Sequence, residues 1–302
     1  MRVAAIDIGT NTVLLLIAEV RGGELIPLRE QAEIVRLGEG VDQTRELNVA
    51  AAERTLVVLR RYGEELRAHE VDRAAAVGTQ ALREVSRGGA FIAAAREALG
   101  CNVEVIAGDR EARLCWRAVA AAFPRLGRGR RTVLDIGGGS TELLVGGEQI
   151  ERLASVPIGS VRLTERLLEH DPPTEEERHA LRKTIDAALA TLPTPEGQLI
   201  AVAGTVTTLC AISLGLADYD GARVHGQRLV RTEIDRIVTQ LGDLSLEERK
   251  RTPGLDPRRA DVIYAGGVIL SRVMARGSFD EVVVSDRGIR WGLAHELAHL
   301  AT

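Results

Sequence analysis

The chain has 302 residues, enough for two domains of about 150 residues each. Its net charge of −4 at pH 7 argues against broad nucleic-acid binding, which needs a basic face, but leaves room for a local groove that binds a small polyanion. The three cysteines are odd in number and widely spaced, so they fit neither a disulfide framework nor a zinc site. No signal peptide and no membrane-length apolar run is visible, and a cytoplasmic protein without a membrane partner is expected.

The first predicted elements are a strand, a tight turn and a second strand. Asp7 ends the first strand, and the turn contains Gly9 followed by Thr10, Asn11 and Thr12. Gly22-Gly23 turns the chain again into a third strand. Two further strands follow, each leading into a helix; the first of them ends in a Gly-Thr step.

The second half repeats this order. Residues 5–12 align with residues 133–140 without a gap, so that aspartate falls on aspartate, glycine on glycine and hydroxyl on hydroxyl. A second Gly-Thr step and a last strand and helix also return in the same order. Two glycine-rich hairpins could share turn chemistry by chance, but four matched features in one order argue for a true repeat. Each half is therefore predicted to be a ribonuclease-H-like unit of the α/β class, and two such units make the actin/sugar-kinase/Hsp70 architecture.

The repeat sets the expected domain boundaries. The first domain spans residues 1–125 and the second 126–302, and the arginine-rich stretch 125–131 is interpreted as a solvated hinge rather than a polyphosphate contact. The second domain carries a helical insertion at about residues 216–275, and the last helix, at about 288–300, is expected to pack back on the first domain. Predicted helices of the insertion begin at the capping signatures Thr232-x-x-Asp235 and Ser245-x-x-Glu248, and a longer one spans about Asp256 to Ala275.

The turns of both halves suit phosphate chemistry. Turns rich in glycine, serine and threonine present backbone N–H groups to phosphate oxygens, and a Gly-Thr step can expose a helix N-terminus to an anion. The repeat symmetry implies a cleft on which these elements converge, which favours a substrate with several phosphates. The predicted substrate-binding residues are Thr10, Asn11, Thr12, Gly78, Thr79, Gly137, Gly138, Gly139, Ser140, Thr141, Gly204 and Thr205.

The aspartates of the two turns need a separate explanation. Asp7 and Asp135 end apolar strands, where a carboxylate is costly unless a cation neutralises it. Mg²⁺, which takes one or two carboxylates and completes its shell with water and phosphate, fits that position. Each aspartate could instead cap its own turn, and spacing alone assigns neither a ligand role.

Together these residues resemble the exopolyphosphatase/guanosine pentaphosphate phosphohydrolase family over nearly the whole chain. The most distinctive matching string runs from Asp135 to Leu143. The other matching segments are Asp7–Thr12, Val77–Arg83, Ala107–Leu114, Pro157–Leu163 and Ser285–Arg290.

The resemblance implies roles for particular residues. Glu111 falls on the family's catalytic base, the second acid of a Glu-Glu pair, whereas the first acid is replaced by Arg110. Glu142 falls on a carboxylate that helps to position metal or water, so the implied metal site comprises Asp7, Asp135 and Glu142. Arg83 is expected to assist catalysis by stabilising charge on the transferred phosphate.

The implied activity is hydrolysis of the terminal phosphoanhydride of inorganic polyphosphate with Mg²⁺, favouring short chains, by a homodimer. Three alternatives stay open: a guanosine pentaphosphate 5′-phosphohydrolase, a kinase of the same architecture, and a sensor that binds guanosine polyphosphate without cleaving it. The intact family strings and the lack of a clear sugar-binding insertion argue against the kinase, and the presence of Glu111 argues against the sensor.

Overall fold

The computed structural model describes residues 1–124 and 129–299, which form two compact units. The first unit comprises residues 1–118 and the last helix, and the second comprises residues 119–288. The predicted boundary at residue 125 and residues 125–128 of the predicted hinge lie outside the described residues, as does the end of the predicted last helix at residue 300.

A five-stranded sheet forms the first unit. Its elements are β1 (Arg2–Ile8), β2 (Thr12–Arg21), β3 (Glu24–Ile34), α1 (Val41–Thr44), α2 (Val49–Ala68), β4 (Arg73–Gly78), α3 (Gln80–Glu84), α4 (Gly89–Leu99), β5 (Asn102–Val105) and α5 (Gly108–Ala122). The strand order is β3-β2-β1-β4-β5, with β1 antiparallel to β2 and parallel to β4. The central strand β1 is buried beyond its first residue and, apart from Asp7, apolar there, as expected for a strand covered on both faces. The edge strand β3 is mostly exposed and carries Pro27 where the register of β2 and β3 shifts, because proline is tolerated at an edge or a bulge.

A six-stranded sheet forms the second unit. Its elements are β6 (Arg131–Ile136), β7 (Thr141–Gly146), β8 (Ile150–Val156), α6 (Ser160–Leu167), α7 (Glu175–Leu189), β9 (Gln198–Val202), α8 (Ala203–Ser213), α9 (Gly221–Val224), β10 (Arg228–Val230), α10 (Arg231–Asp243), α11 (Leu246–Arg249), α12 (Ile263–Gly277) and β11 (Glu281–Val284). The last helix of the chain, α13 (Ile289–His299), belongs to the first unit.

The strand order confirms the predicted fold class. In the second unit the order β8-β7-β6-β9-β11 repeats the order β3-β2-β1-β4-β5 of the first, with the same parallel and antiparallel pairings. The protein is therefore an α/β protein with two ribonuclease-H-like units, the composition of the actin/sugar-kinase/Hsp70 class. The additional strand β10, which pairs with β11, comes from the insertion and was not predicted.

The helical insertion differs from its prediction in two places. The capping box at Ser245 is confirmed, since Ser245 and Glu248 bond reciprocally at the start of α11. The predicted cap at Thr232 is wrong, because α10 begins at Arg231 without a side-chain cap. The long helix also begins later than predicted, because Asp256 caps a separate 3-10 turn, Pro257–Arg259, and α12 starts only at Ile263.

Aliphatic side chains build the core of each unit. One buried cluster fills the first unit and a second fills the other, and both consist mainly of alanine, valine, leucine and isoleucine. This composition follows from an aromatic content of only 3%. Within residues 1–124 and 129–299, no helix is both long enough and apolar enough to span a membrane.

Candidate functional site

The turn after the first strand has the same hydrogen bond in both units. Gly9 N–H donates to the Thr12 carbonyl at 3.0 Å, and Gly137 N–H donates to the Ser140 carbonyl at 3.0 Å. A Cβ on Gly9 would lie 2.9 Å from that acceptor oxygen, and one on Gly137 would lie 3.2 Å from its acceptor. Glycine therefore lets both turns close tightly, and we call residues 9–12 the first loop and residues 137–140 the second loop.

The start of α6 binds the carbonyl groups of the second loop. The bonds are Ser160 N–H to Gly137 O (3.0 Å), Val161 N–H to Gly138 O (2.9 Å) and Arg162 Nε–H to Gly139 O (2.8 Å). In a trans peptide the C=O and the following N–H point in opposite directions. Consequently the N–H groups of residues 138, 139 and 140 point away from α6, and successive N–H groups on one side of a loop form an anion-binding concavity.

The first loop is held in the same manner by the segment that follows β3. Gly38 N–H donates to the Thr10 carbonyl at 2.8 Å, and the N–H groups of Val35 and Arg36 both donate to the Asn11 carbonyl at 3.0 Å. Thr12, the third predicted residue of this turn, is the first residue of β2. The Asn11 side chain is only 8% exposed, and its buried Nδ2 has no acceptor within residues 1–124 and 129–299. A buried donor without an acceptor is costly, so an anionic oxygen is a suitable ligand for it.

Two buried carboxylates lie side by side in the second unit. Asp135 at the end of β6 is the direct cross-strand partner of Glu142 on β7, so their side chains are neighbours on one face of the sheet. Asp135 is 4% exposed and Glu142 is fully buried, and Ser155 Oγ donates to Glu142 Oε1 at 2.6 Å. Two adjacent buried carboxylates repel unless a cation lies between them.

This pair fits Mg²⁺, which binds through one or two carboxylates and takes its other ligands from water and phosphate. No group of three or more histidine, cysteine, aspartate or glutamate residues that could hold a metal occurs in the described part of the chain. Asp7, the third predicted ligand, is buried at the end of β1 in the other unit, opposite Leu14 rather than a second acid. Its ligand role stays a prediction.

Glu111, which is buried, and Arg83, which is partly buried, form an ion pair in the first unit. Glu111 lies in the first turn of α5 and is 6% exposed. Arg83 Nη1, from α3, donates to Glu111 Oε2 at 2.6 Å and to the Ile106 carbonyl at 2.8 Å. A charged hydrogen bond of this kind fixes the orientation of the carboxylate.

The two Gly-Thr steps differ. Gly78 ends β4, and the N–H of Thr79 donates to the Ile8 carbonyl at 3.2 Å, so that group already has an acceptor. The helix α3 that follows has only five residues, which makes it a weaker anion site than a long helix would be.

In the second unit, Gly204 and Thr205 lie inside the first turn of the eleven-residue helix α8. A Cβ on Gly204 would lie 2.1 Å from Arg259 Nη1, so the guanidinium group lies directly on the helix N-terminus. Burial lowers the pKa of Arg259 below its usual value. Arg259 is partly buried, and a cation beside the positive end of a helix favours an anion that contacts both.

Sequence reasoning missed several features of this site. It assigned no role to Arg162, which lies in the matching segment Pro157–Leu163, and none to Arg259. The hydroxyl of Thr141, predicted to contact substrate, donates to the Ile158 carbonyl at 2.7 Å and so supports β7. Two glycines were the sequence signal for close approaches to the backbone. A Cβ on Gly159 would meet the backbone of Gly138, and a Cβ on Gly204 would meet the guanidinium of Arg259.

Comparisons with known proteins find similar chains over nearly the whole length of this one. The sequence profile of the Ppx/GppA phosphatase family matches residues 16–301. Exopolyphosphatase 2 of Mycobacterium tuberculosis is 36% identical over 315 residues, which cover 98% of this chain and 98% of that protein. A crystal structure of the Aquifex aeolicus member of the Ppx/GppA family is 34% identical, with a TM-score of 0.86 over 100% of this chain and 99% of the other. The crystal structure of an exopolyphosphatase from Cytophaga hutchinsonii is 29% identical, with a TM-score of 0.91 over 99% of this chain and 98% of the other.

Proposed function

Because this chain belongs to the Ppx/GppA phosphatase family, we propose that it hydrolyses the terminal phosphoanhydride bond of inorganic polyphosphate and releases orthophosphate. One observation carries the proposal most directly. The peptide N–H groups of the second loop point away from α6, and this loop connects the two strands that carry the buried pair of Asp135 and Glu142. An anion cradle next to carboxylates that suit Mg²⁺ is the combination that phosphoryl-transfer sites use.

Glu111 is the general base of the proposed reaction. Its carboxylate orients a water molecule in line with the terminal phosphorus and accepts a proton from that water. The water oxygen forms a bond to phosphorus, the bridging P–O bond breaks, and the shortened chain leaves with the bridging oxygen. Arg83 holds the carboxylate of Glu111 in one orientation through the 2.6 Å bond, so its role is positioning as well as charge stabilisation.

Asp135 and Glu142 would hold Mg²⁺, with Asp7 as a further candidate ligand. The metal would supply positive charge that offsets the charge on the transferred phosphate. The backbone N–H groups of both loops, the Asn11 amide and the start of α8 would bind phosphate oxygens, and Arg259 would add a cation there.

Guanosine pentaphosphate is the second candidate substrate, since it ends in the same anhydride. The similarity to exopolyphosphatase 2 of M. tuberculosis favours polyphosphate as the substrate. A kinase would transfer the phosphate to an acceptor hydroxyl, and a sensor would bind without turnover.

Orthophosphate release from polyphosphate in the absence of any acceptor separates these functions. We expect release that is linear with enzyme concentration. Tight binding without release would favour the sensor, and release only as a phosphorylated acceptor would favour the kinase.

We further propose that the enzyme favours short chains and acts distributively. The affinity for a long polyanion increases with the number of basic side chains that contact it. The protein has a net charge of −4, so we expect such contacts at local clusters such as Arg258 and Arg259. A gel time course on a long, uniform polyphosphate should show the whole population shortening together. Full-length chains that vanish to end product without intermediates would contradict this.

A further inference from the structure

Arg110 lies beside Glu111 in the first turn of α5, where the family pattern has an acid. Its guanidinium binds both carboxylate oxygens of Glu296 in α13: Nη1 donates to Oε1 at 2.6 Å, and Nη2 donates to Oε2. The hydrogen bond to Glu296 raises the pKa of Arg110, with burial opposing. A bidentate pair of this kind fixes direction as well as distance.

A second contact joins the same two helices one turn away. A Cβ on Gly292 would lie 2.0 Å from the Leu114 carbonyl oxygen, so α13 and α5 touch backbone to backbone at that point. Leu114 follows Arg110 by four residues, and Glu296 follows Gly292 by four, which places each pair on one helix face. Two attachments one turn apart set the rotation of the first turn of α5 as well as its position.

The first turn of α5 carries Glu111. From α3, Arg83 fixes the carboxylate end of that side chain. From α13, the Arg110–Glu296 pair fixes the backbone from which the side chain extends. Since a displacement of about 1 Å can lower a rate roughly 100-fold, both ends matter to a general base.

We propose that Arg110 and Glu296 are positioning residues for Glu111, with α13 as the support that holds the catalytic turn. The proposal rests on the proposed hydrolysis. It also assigns a role to the departure from the family's Glu-Glu pattern: the arginine replaces an acid and uses the last helix as its partner.

A charge exchange tests the pair. Arg110→Glu sets two carboxylates against each other, Glu296→Arg sets two guanidinium groups against each other, and the double variant restores an opposite-charge pair. We expect each single variant to lower kcat by about 10-fold or more with KM changed less than about twofold, and the double variant to recover to within about threefold of the parent. Arg117→Ala is the matched control, because Arg117 also faces Glu296, at 3.8 Å, but lies farther along α5 from Glu111. It should keep the parent kcat.

If an acid at position 110 takes part directly in catalysis, Arg110→Glu alone should match or exceed the parent. That result, or a double variant no better than the singles, would overturn the proposal.

Amide hydrogen exchange tests the proposal without measuring activity. It can be applied to Glu296→Gln, a variant that removes the charge of Glu296 without reversing it. The N–H groups of Arg110 and Glu111 both bond to the Ala107 carbonyl at 3.0 Å, so their exchange reports the order of this turn. Glu296→Gln should speed their exchange by about 10-fold while the amides of α2 stay unchanged. Unchanged exchange at Arg110 and Glu111 would overturn the positioning role, whether or not the parent is active. A parent that releases no orthophosphate would refute the proposed function instead.

Discussion

Ala203 is the first residue of α8 and has a φ of 71°, a region that L-residues other than glycine seldom occupy. The strain sits at the junction of β9 with the helix whose N-terminus lies against Arg259, so the neighbouring structure holds it in place. Glycine takes this conformation without a Cβ clash but loses more chain entropy on folding.

We therefore expect Ala203→Gly to raise the free energy of unfolding by about 0.5–1 kcal/mol, the left-handed penalty less the entropy cost of glycine. Urea denaturation of parent and variant measures it. Ala211→Gly, a buried position further along α8, is the matched control and should lower stability by about 1 kcal/mol or more. A loss of stability in Ala203→Gly would contradict the strain at this residue.

Single residues were also where sequence reasoning was least complete. Aspartate and glycine positions in the two loops could be read from the repeat, because a tight turn after a buried strand restricts residue type. The Arg83–Glu111 and Arg110–Glu296 pairs could not, since 28 and 186 residues separate their partners along the chain. Such pairs are set by how helices pack, which local propensity does not encode.

At the scale of elements, α7 begins with a capping box in which Glu177 accepts more bonds than a cap requires. Its carboxylate accepts from the N–H groups of Glu169, His170 and Thr174 and from the His170 ring. Burial would raise its pKa, but these hydrogen bonds prevail and lower the pKa of Glu177 to about 2. The carboxylate thus ties the turn before α7 to the helix.

Because folding lowers the pKa of Glu177, its carboxylate stabilises the folded state at pH values above the ordinary pKa of 4.5. This contribution is lost as the pH falls towards 2. Glu177→Gln should therefore cost about 1 kcal/mol at pH 7, the usual value of a helix cap. The gap between parent and variant should narrow as pH falls from 4.5 to 2 in urea melts. Glu176→Gln, exposed on the same turn, is the control and should track the parent. A gap that stays constant with pH would contradict the assignment.

The order of the strands and helices could be predicted from the sequence better than the residues at which they begin and end. The strand order could be predicted because the Asp-x-Gly turn and the Gly-Thr step recur in register in both halves. The start of α12 could not, because Asp256 and Pro257 favour a short 3-10 turn as readily as a long helix. The three-residue strand β10 lies within an insertion that the repeat does not cover.

At the scale of the whole molecule, the buried pair of Asp135 and Glu142 predicts dependence on Mg²⁺. Orthophosphate release should fall to background in excess chelator and recover with Mg²⁺, with Ca²⁺ a poor substitute because its coordination is looser. Glu142→Gln should raise the Mg²⁺ concentration for half-maximal activity by about 10-fold or more. Glu148→Gln, exposed in the same hairpin, should leave it unchanged. Full activity in chelator would refute the metal role of this pair.

The most direct test of phosphoanhydride hydrolysis by Glu111 is orthophosphate release by the parent, Glu111→Gln and Asp109→Asn. The substrates are polyphosphates of defined length, with guanosine pentaphosphate and ATP alongside. Asp109 is exposed in the same turn of α5, so its variant controls for the loss of a negative charge there. We predict that the parent and Asp109→Asn release orthophosphate from polyphosphate at similar rates, and that Glu111→Gln retains binding but loses about 100-fold or more in kcat. A Glu111→Gln variant within about threefold of the parent would contradict the account, because a positioned base contributes about 100-fold or more.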